Sequence, residues 1–189
     1  MICGEKVRLR PMEEDDLPLF VCWVNTPEWH EPDMGFFVQP PIALEQQFSE
    51  HGFMHERVTL FVIETLQEEV VGSCEYFDHS LQHSSAEIGV VIWNPANRGQ
   101  GYGAEAHRLL VDYLFTHLNL HRVQAQINPD NVPERRILEK LGFRLEGVRR
   151  RCWYAFGCWW DRAVYGLLRD EWQAEKDFGT VGGRQDHAT

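Results

Sequence analysis

Alternating apolar and polar positions predict most of the strands in this chain. In residues 120–128, Val123, Ala125 and Ile127 alternate with polar neighbours, which is the pattern of a strand with one buried face. Three runs that follow one another closely, at 58–64, 70–77 and 86–93, predict an antiparallel meander. Comparable runs predict further strands at residues 6–12, 143–154 and 159–168.

A spacing of three and four residues predicts the helices. In one segment the apolar positions recur with the period of a helix that packs one face on a sheet: Ala106, Leu109, Leu110, Tyr113 and Leu114. Other helices are predicted at residues 13–25, 43–55 and 132–141, and Gly142 ends the last one. The mixture of elements predicts a single domain of the α/β (α+β) class.

A glycine-rich segment separates the strand at 86–93 from the long helix. It consists of Arg98, Gly99, Gln100, Gly101, Tyr102 and Gly103. Glycine adopts backbone angles that are closed to other residues, so successive N–H groups can turn toward one anion. The helix that follows adds its own unpaired N–H groups and the positive end of its dipole. The segment therefore predicts a phosphate cradle, with a tight strand-to-helix turn as the alternative interpretation.

Two motifs of the chain are similar to those of one known superfamily. Arg98, Gly101 and Gly103 fit the pattern (Gln/Arg)-x-x-Gly-x-(Gly/Ala), and a second match runs from Asn131 to Phe143 through Leu138-Glu-Lys-Leu-Gly. Over roughly residues 5–170 the chain resembles the GNAT superfamily of acyl-CoA-dependent N-acetyltransferases. Residues 6–12 and 145–172 look most like its Rim-type branch, which acetylates the N-terminal amines of ribosomal proteins and includes relatives that act on small amines, amino acids and antibiotics.

The resemblance implies a fold, a cosubstrate and a reaction. The GNAT fold has a mostly antiparallel central sheet with splayed strands, flanked by helices. Acetyl-CoA would donate its acetyl group to a primary amine by direct attack within a ternary complex. The acceptor would be a protein N-terminus or, alternatively, a small cationic amine such as a polyamine, an amino acid or an aminoglycoside. A non-catalytic acyl-CoA-binding module is a further alternative.

The same resemblance implies which residues hold the cofactor. The splayed strand would bind the pantetheine arm through its backbone near Val91 and Ile92, and Asn131 would cap the following helix and bind a pantetheine amide. The expected cofactor contacts are Val91, Ile92, Arg98, Gly99, Gln100, Gly101, Tyr102, Gly103, Ala104 and Asn131. Arg135, Arg136 and Lys140 are candidates for the 3′-phosphate or, equally, solvated helix charges.

Two carboxylates are candidates for the proton transfers of the reaction. Glu87, on the strand expected to splay, is the candidate general base. Glu134 departs from the family pattern, because Rim-type relatives commonly carry Ser or Ala three residues after the helix-opening asparagine. Glu134 either replaces a serine proton donor or decorates the first helical turn, where an acid is favourable anyway. Tyr154 and Tyr165 are weaker candidates for protonating the thiolate.

The resemblance also implies that the first two helices and the loop between them form much of the acceptor side of the cleft. Trp29, His30, Phe36 and Phe37 lie in this loop. They are candidate substrate contacts or, alternatively, aromatic residues that cap the core.

The composition of the chain limits the classes of molecule that it is expected to bind. The 189 residues include 18 basic and 29 acidic ones, a net charge of −11, which argues against a nucleic-acid surface and favours a cationic acceptor. Five scattered cysteines indicate free thiols and no metal site. With no apolar run long enough for a membrane span and no signal peptide, a cytoplasmic protein is expected.

The domain is predicted to cover residues 1–173, followed by a disordered tail at 174–189. A cluster of tryptophans near the end of the domain is predicted to serve the core or a homodimer interface: Trp153, Trp159 and Trp160.

Overall fold

The computed structural model describes residues 1–55, 58–80 and 82–173, so the predicted tail at 174–189 lies outside the described residues. An eight-stranded sheet organises the chain, in the order β1-β2-β3-β4-β5-β6-β8-β7. Its strands are β1 (Ile2–Cys3), β2 (Val7–Arg10), β3 (Val58–Thr65), β4 (Val70–Ser80), β5 (Ser85–Ile92), β6 (Arg122–Ile127), β7 (Arg144–Ala155) and β8 (Cys158–Leu168). No helix of the described residues is long and apolar enough to cross a membrane.

The strands pair as the alternating pattern predicts. All neighbours are antiparallel except β5 and β6, which run parallel. This parallel pair is hydrogen-bonded only from Ser85 to Glu87 on β5 and from Arg122 to Gln124 on β6, although both strands continue. The predicted meander, the mostly antiparallel sheet and the splayed strands are therefore confirmed.

The helices are α1 (Leu17–Val24), α2 (Pro41–His51), α3 (Tyr102–His117) and α4 (Val132–Lys140), and residues 169–173 are also helical. The helix predicted at 13–25 is confirmed to within one residue at each end, as a 3₁₀ turn at Glu14–Asp16 followed by α1, which carries a proline in its first turn. The helix predicted at 43–55 ends at His51, because Gly52 adopts the left-handed conformation (φ 58°) that terminates helices.

The sheet separates two hydrophobic clusters. One cluster packs α3 and Leu138 of α4 against one face, with the buried side chains Val123, Ala125 and Ile127 of β6. The other packs α1 and α2 against the opposite face and includes Trp93. The strands β3, β4 and β5 therefore contribute alternate side chains to the two clusters. In the predicted tryptophan cluster Trp159 is exposed, and a homodimer interface at the β7–β8 hairpin stays a prediction.

Candidate active site

A cavity of about 1180 Å³ opens where β5 and β6 separate. Its walls are the splayed ends of these strands, the neighbouring strand β4, the loop between α1 and α2, and the first turns of α3 and α4. The gap between β5 and β6 leaves backbone groups without a strand partner, and these groups are available to a ligand. The divergence of one parallel pair thus creates the candidate site.

The glycine-rich segment forms one end of the cavity. Gly99 (φ 76°) and Gly101 (φ 89°) have left-handed backbone conformations, and Gly101 is the N-cap residue of α3. Gly101, Tyr102, Gly103 and Ala104 line the cavity, so the N-terminus of α3 faces it. This is the geometry that a phosphate cradle requires. Gln100 lies outside the wall, and its carbonyl oxygen accepts a hydrogen bond from Nζ of Lys6 at 3.0 Å.

The Arg98 side chain is engaged by the loop between α1 and α2. It pairs with the carboxylate of Glu31, and its Nη2 donates to the carbonyl oxygen of Trp29 at 3.2 Å. Its Nε also lies 3.4 Å from the carbonyl oxygen of Ile92. Arg98 therefore ties the loop between α1 and α2 to the end of β5, and its contact with a phosphate stays a prediction.

Glu105 anchors α3 to the sheet, a role that the sequence pattern did not reveal. Its carboxylate accepts hydrogen bonds from the backbone N–H groups of Glu5, Lys6 and Val7 at 2.7–2.8 Å. Burial would raise the pKa of Glu105, but these three hydrogen bonds and the nearby Arg108 hold it below its ordinary value. The cradle thus rests on a helix whose first turn is fixed to β2.

The side chains of β5 alternate as the sequence predicts. Ile88, Val90 and Ile92 contact the cluster on the α3 side, whereas Val91 and Trp93 contact the cluster on the α1 side. The register with β4 is continuous from Glu87 to Ile92. Val91 and Ile92, the positions expected beside the acetyl group, both line the cavity.

Two carboxylates lie on the cavity face of the sheet. Glu87 is 8% exposed, and its Oε2 accepts hydrogen bonds from Nε2 of Gln124 at 3.0 Å and of Gln126 at 2.9 Å. Glu75 on β4 pairs with Gly89 and lies diagonally across from Glu87. Within the described chain no hydrogen-bond donor contacts the Glu75 carboxylate, and burial raises its pKa.

Sequence reasoning missed Glu75, although the pattern of β4 contained a signal. Cys74 is buried in the core on the α3 side, so its neighbours Ser73 and Glu75 must face the other way. Because β4 pairs with β5, that face is the one that carries Glu87. A polar residue on an interior strand, on the same face as a candidate base, could have been recognised as a second carboxylate of the site.

Asp33 ties the loop between α1 and α2 to β8 and to the start of α4. Its side chain accepts hydrogen bonds from Nδ2 of Asn131 at 2.5 Å, from Nη1 of Arg162 at 2.8 Å and from the backbone N–H of Asn128. The guanidinium of Arg162 in turn lies 4.4 Å from the ring centroid of Trp153, a cation–π contact. We call Asp33, Arg162 and Trp153 the loop latch. Asn131 also caps α4, because its Oδ1 accepts from the N–H of Glu134 at 3.1 Å.

The structure places three of the four predicted acceptor contacts in the cavity wall. Trp29, His30 and Phe37 line the cavity, and Phe37 is 67% exposed at its rim. Phe36 does not line it, because its ring packs edge-on against His30 with the centroids 5.3 Å apart. His30 is stacked on Trp23 on its other side. The aromatic residues of this loop therefore serve the core and the cavity wall together.

Glu134 lies in the first turn of α4 and also reaches the cavity, and its role as a proton donor stays a prediction. Its backbone N–H is capped by Asn131, as the first helical turn requires. Its carboxylate lines the cavity and lies 2.7 Å from Nε2 of the buried His107 on α3. Tyr165 is buried and lies 3.4 Å from Glu139, and neither Tyr165 nor Tyr154 lines the cavity.

The geometry agrees with comparisons to known proteins. A model of the acetyltransferase (GNAT) domain matches residues 6–144. The uncharacterized N-acetyltransferase p20 of Bacillus licheniformis is 29% identical over 179 residues, 89% of this chain and 96% of p20. Spermidine N(1)-acetyltransferase of Escherichia coli K12 is 27% identical and covers 78% of this chain and 77% of its own length. A third relative, the uncharacterized N-acetyltransferase YnaD of Bacillus subtilis, is 35% identical over 103 residues, and the match spans 59% of the length of YnaD.

Solved structures support the same fold. The crystal structure of spermidine N-acetyltransferase from Vibrio cholerae, in complex with CoA and spermine, superposes with a TM-score of 0.79. The match covers 90% of this chain and 99% of that protein at 24% identity. The family match covers most of the chain, including the cradle, the splayed strands and α4. The chain therefore belongs to the GNAT family of N-acetyltransferases, with acetyl-CoA as its cosubstrate.

Proposed function

We propose that this protein transfers the acetyl group of acetyl-CoA to a primary amine of a small cationic molecule, with polyamines as the first candidates. The observation that carries the proposal is the pair Glu75 and Glu87 on the cavity face of β4 and β5. Diagonal neighbours of this kind have Cβ atoms about 7 Å apart. The two carboxylates can therefore attract one polycation at two points.

The other acidic groups of the cavity are already compensated. Glu31 pairs with Arg98, Asp33 with Arg162, and Glu134 with His107. Glu75 has no donor among the described residues, and the hydrogen bonds to Glu87 come from neutral amides, with the charge of Arg162 close enough to interact with it. A cationic ligand is the partner that would stabilise these two negative charges in a partly buried site. The named activity of the relatives from Escherichia coli and Vibrio cholerae, spermidine acetylation, supports the same acceptor class.

We assign the cofactor and the acceptor to opposite ends of the cavity. The cradle at Gly99 to Ala104 would hold the pyrophosphate, and the open edge of β5 at Val91 and Ile92 would hold the pantetheine arm. Trp29, His30 and Phe37 would cover the acceptor. Glu87 stays the candidate general base, and Glu75 joins it as an amine-binding group. Acetyl transfer then requires that the amine be delivered uncharged to the thioester.

An acceptor series with increasing charge tests the proposal. We expect kcat/KM to increase from butylamine through putrescine to spermidine, because each added ammonium group can meet another carboxylate. A short peptide with a free N-terminus is included because the sequence resembles the Rim-type branch. Preference for the peptide would contradict the polyamine assignment. Tight binding of acetyl-CoA without acetylation of any amine would indicate a non-catalytic module instead.

A further inference from the structure

His107 is a buried imidazole beside the donor end of the cavity. It lies on α3, one turn after Gly103, and is 1% exposed. Its Nδ1 lies 2.9 Å from the carbonyl oxygen of Gly103. A carbonyl oxygen can only accept a hydrogen bond, so Nδ1 must carry a hydrogen and donate it. When the ring is neutral, Nε2 therefore carries the lone pair.

This second ring nitrogen faces a carboxyl group. The distance from Nε2 to Oε1 of Glu134 is 2.7 Å, typical of a charge-assisted hydrogen bond. Two lone pairs would repel at this distance, so one proton must lie between the two atoms. The pair His107–Glu134 therefore holds this proton in either of two forms. It is an imidazolium with a carboxylate or a neutral imidazole with a carboxylic acid.

The surroundings favour retention of this proton. Burial lowers the pKa of His107, but the charge and hydrogen bond of Glu134 and the carbonyl of Gly103 raise it above its ordinary value. Charged groups of the adjacent elements have other contacts. Glu105 binds the backbone of β2, Arg108 pairs with Asp112, and Glu87 lies on the opposite face of β5.

Glu134 connects the buried imidazole to the cavity. Its side chain is 20% exposed, and it lines the wall together with Asn131 from the same turn of α4. Gly103 and Ala104 of the cradle and Ile137 of α4 line the same cavity. A proton on this carboxyl group is therefore presented to the space between the cradle and the splayed strands, through which the pantetheine arm must pass in the proposed function.

We propose that the proton shared by the pair passes through Glu134 to the sulfur of CoA as the thioester breaks, and that His107 positions Glu134 and supplies this proton. The proposal rests on the acetyl transfer proposed above. The amine nitrogen attacks the carbonyl carbon, the C–N bond forms, and the C–S bond breaks with its electron pair on sulfur. Sulfur takes the proton from the pair. Glu87, the candidate general base, takes the surplus proton of the amine and passes it to solvent, and solvent returns one proton to His107–Glu134 in each turnover.

Kinetics of Glu134→Gln test the catalytic role. This substitution keeps the size of the side chain and removes the transferable proton, so we expect kcat to fall about 100-fold. The Kd of acetyl-CoA, measured by calorimetric titration, should change by less than about twofold, since the cradle is untouched. Glu139→Gln is the matched control, because Glu139 lies on the same helix outside the cavity wall and should leave kcat unchanged.

The pH profile separates a catalytic role from a structural one. In the parent protein kcat should fall at alkaline pH as the pair loses its proton, and Glu134→Gln should lack this decrease. His107→Gln should move the decrease to lower pH, because the buried imidazole that retains the proton of the pair is then absent. A Glu134→Gln variant that loses acetyl-CoA affinity and kcat together, with an unchanged profile, would overturn the proposal.

The shared proton can also be tested by a measurement that requires no acetyl transfer, so that its outcome does not depend on the proposed function. NMR titration of the His107 imidazole should give a higher pKa in the parent than in Glu134→Gln. The same pKa in both proteins would overturn the shared proton, whichever amine is the acceptor. If the acceptor series favours a peptide, the polyamine assignment fails, and the kinetic test is then made with that peptide.

Discussion

The proposed donor and acceptor ends of the cavity are built from different parts of the chain. At the proposed donor end, the backbone of Gly99 to Ala104 and the first turn of α3 present N–H groups, all within one short segment. At the proposed acceptor end, the loop latch joins Asp33, Trp153 and Arg162, which lie far apart in sequence. A backbone site is sensitive to an added side chain, whereas a side-chain site is sensitive to truncation.

The largest expected effect is at the donor end. Gly101→Glu places a charged side chain at a left-handed position whose Cβ would lie 2.9 Å from Nζ of Lys6. We expect acetyl-CoA binding to weaken by at least about 100-fold, because the backbone of the cradle is strained and its anion site is blocked. Calorimetric titration measures this loss.

Gly157→Glu is the control for backbone strain. Gly157 has a similar conformation (φ 78°) in the β7–β8 turn, with open space around its Cβ position. It should bind acetyl-CoA like the parent protein. If both variants lost binding equally, general destabilisation rather than the cradle would explain the result.

The next largest effect is expected from a substitution in the loop latch. Asp33→Ala removes the carboxylate from the loop latch and leaves the guanidinium of Arg162, which is 8% exposed, without its charge partner. Loss of one partner from a buried pair destabilises a protein by about 3 kcal/mol. Denaturant unfolding should show this loss, and the KM for the amine should rise as the loop is released.

The exposed pair Arg122–Glu146 provides the comparison. Glu146→Gln should cost less than about 1 kcal/mol, because solvent screens this pair. Equal costs for the two substitutions would mean that the loop latch contributes no more than a surface ion pair.

A smaller effect is expected from the substitution of Glu75, one of the two carboxylates on the cavity face of the sheet. Glu75→Gln should lower kcat/KM for spermidine about tenfold, the cost of one hydrogen bond to a charged group. Butylamine carries one ammonium group, so its kcat/KM should fall less. A uniform decrease for all amines would assign Glu75 to the reaction rather than to recognition of charge.

Glu75 should also make stability depend on pH. Its pKa is raised in the folded protein, so the folded state binds its proton more tightly than the unfolded state does. The parent protein therefore loses stability as the pH rises from about 4 through the raised pKa, and Glu75→Gln does not. Unfolding experiments at pH 7 should find Glu75→Gln slightly more stable than the parent, and this difference should vanish near pH 4.

The smallest effect is expected at a thiol in the cavity wall. Cys152 lines the cavity, but its Sγ only donates to the carbonyl oxygen of Arg149 at 3.4 Å. Direct attack by the amine requires no covalent intermediate. Cys152→Ser should therefore change kcat by less than about twofold in steady-state assays. An acetylated Cys152 detected by mass spectrometry would contradict the direct mechanism.

The difference between a site built from one short segment and a site built from distant side chains explains which features the sequence could predict. The cradle, the alternation of β5 and β6 and the cap at Asn131 follow from local patterns, because each depends on residues that are close in the chain. The loop latch, the anchor at Glu105 and the pair His107–Glu134 depend on side chains that only the folded sheet brings together. The end of α2 was also misjudged, because the left-handed backbone of Gly52 ends the helix before the predicted residue.

Paired measurements on two variants test the central claim that backbone holds the donor and side chains hold the acceptor. Acetyl-CoA affinity by calorimetry and kcat/KM for spermidine are measured for the parent, Gly101→Glu and Glu75→Gln. We predict that Gly101→Glu loses acetyl-CoA binding, whereas Glu75→Gln keeps it and loses only efficiency toward spermidine. Loss of acetyl-CoA affinity in Glu75→Gln as large as its loss of kcat/KM would contradict the account.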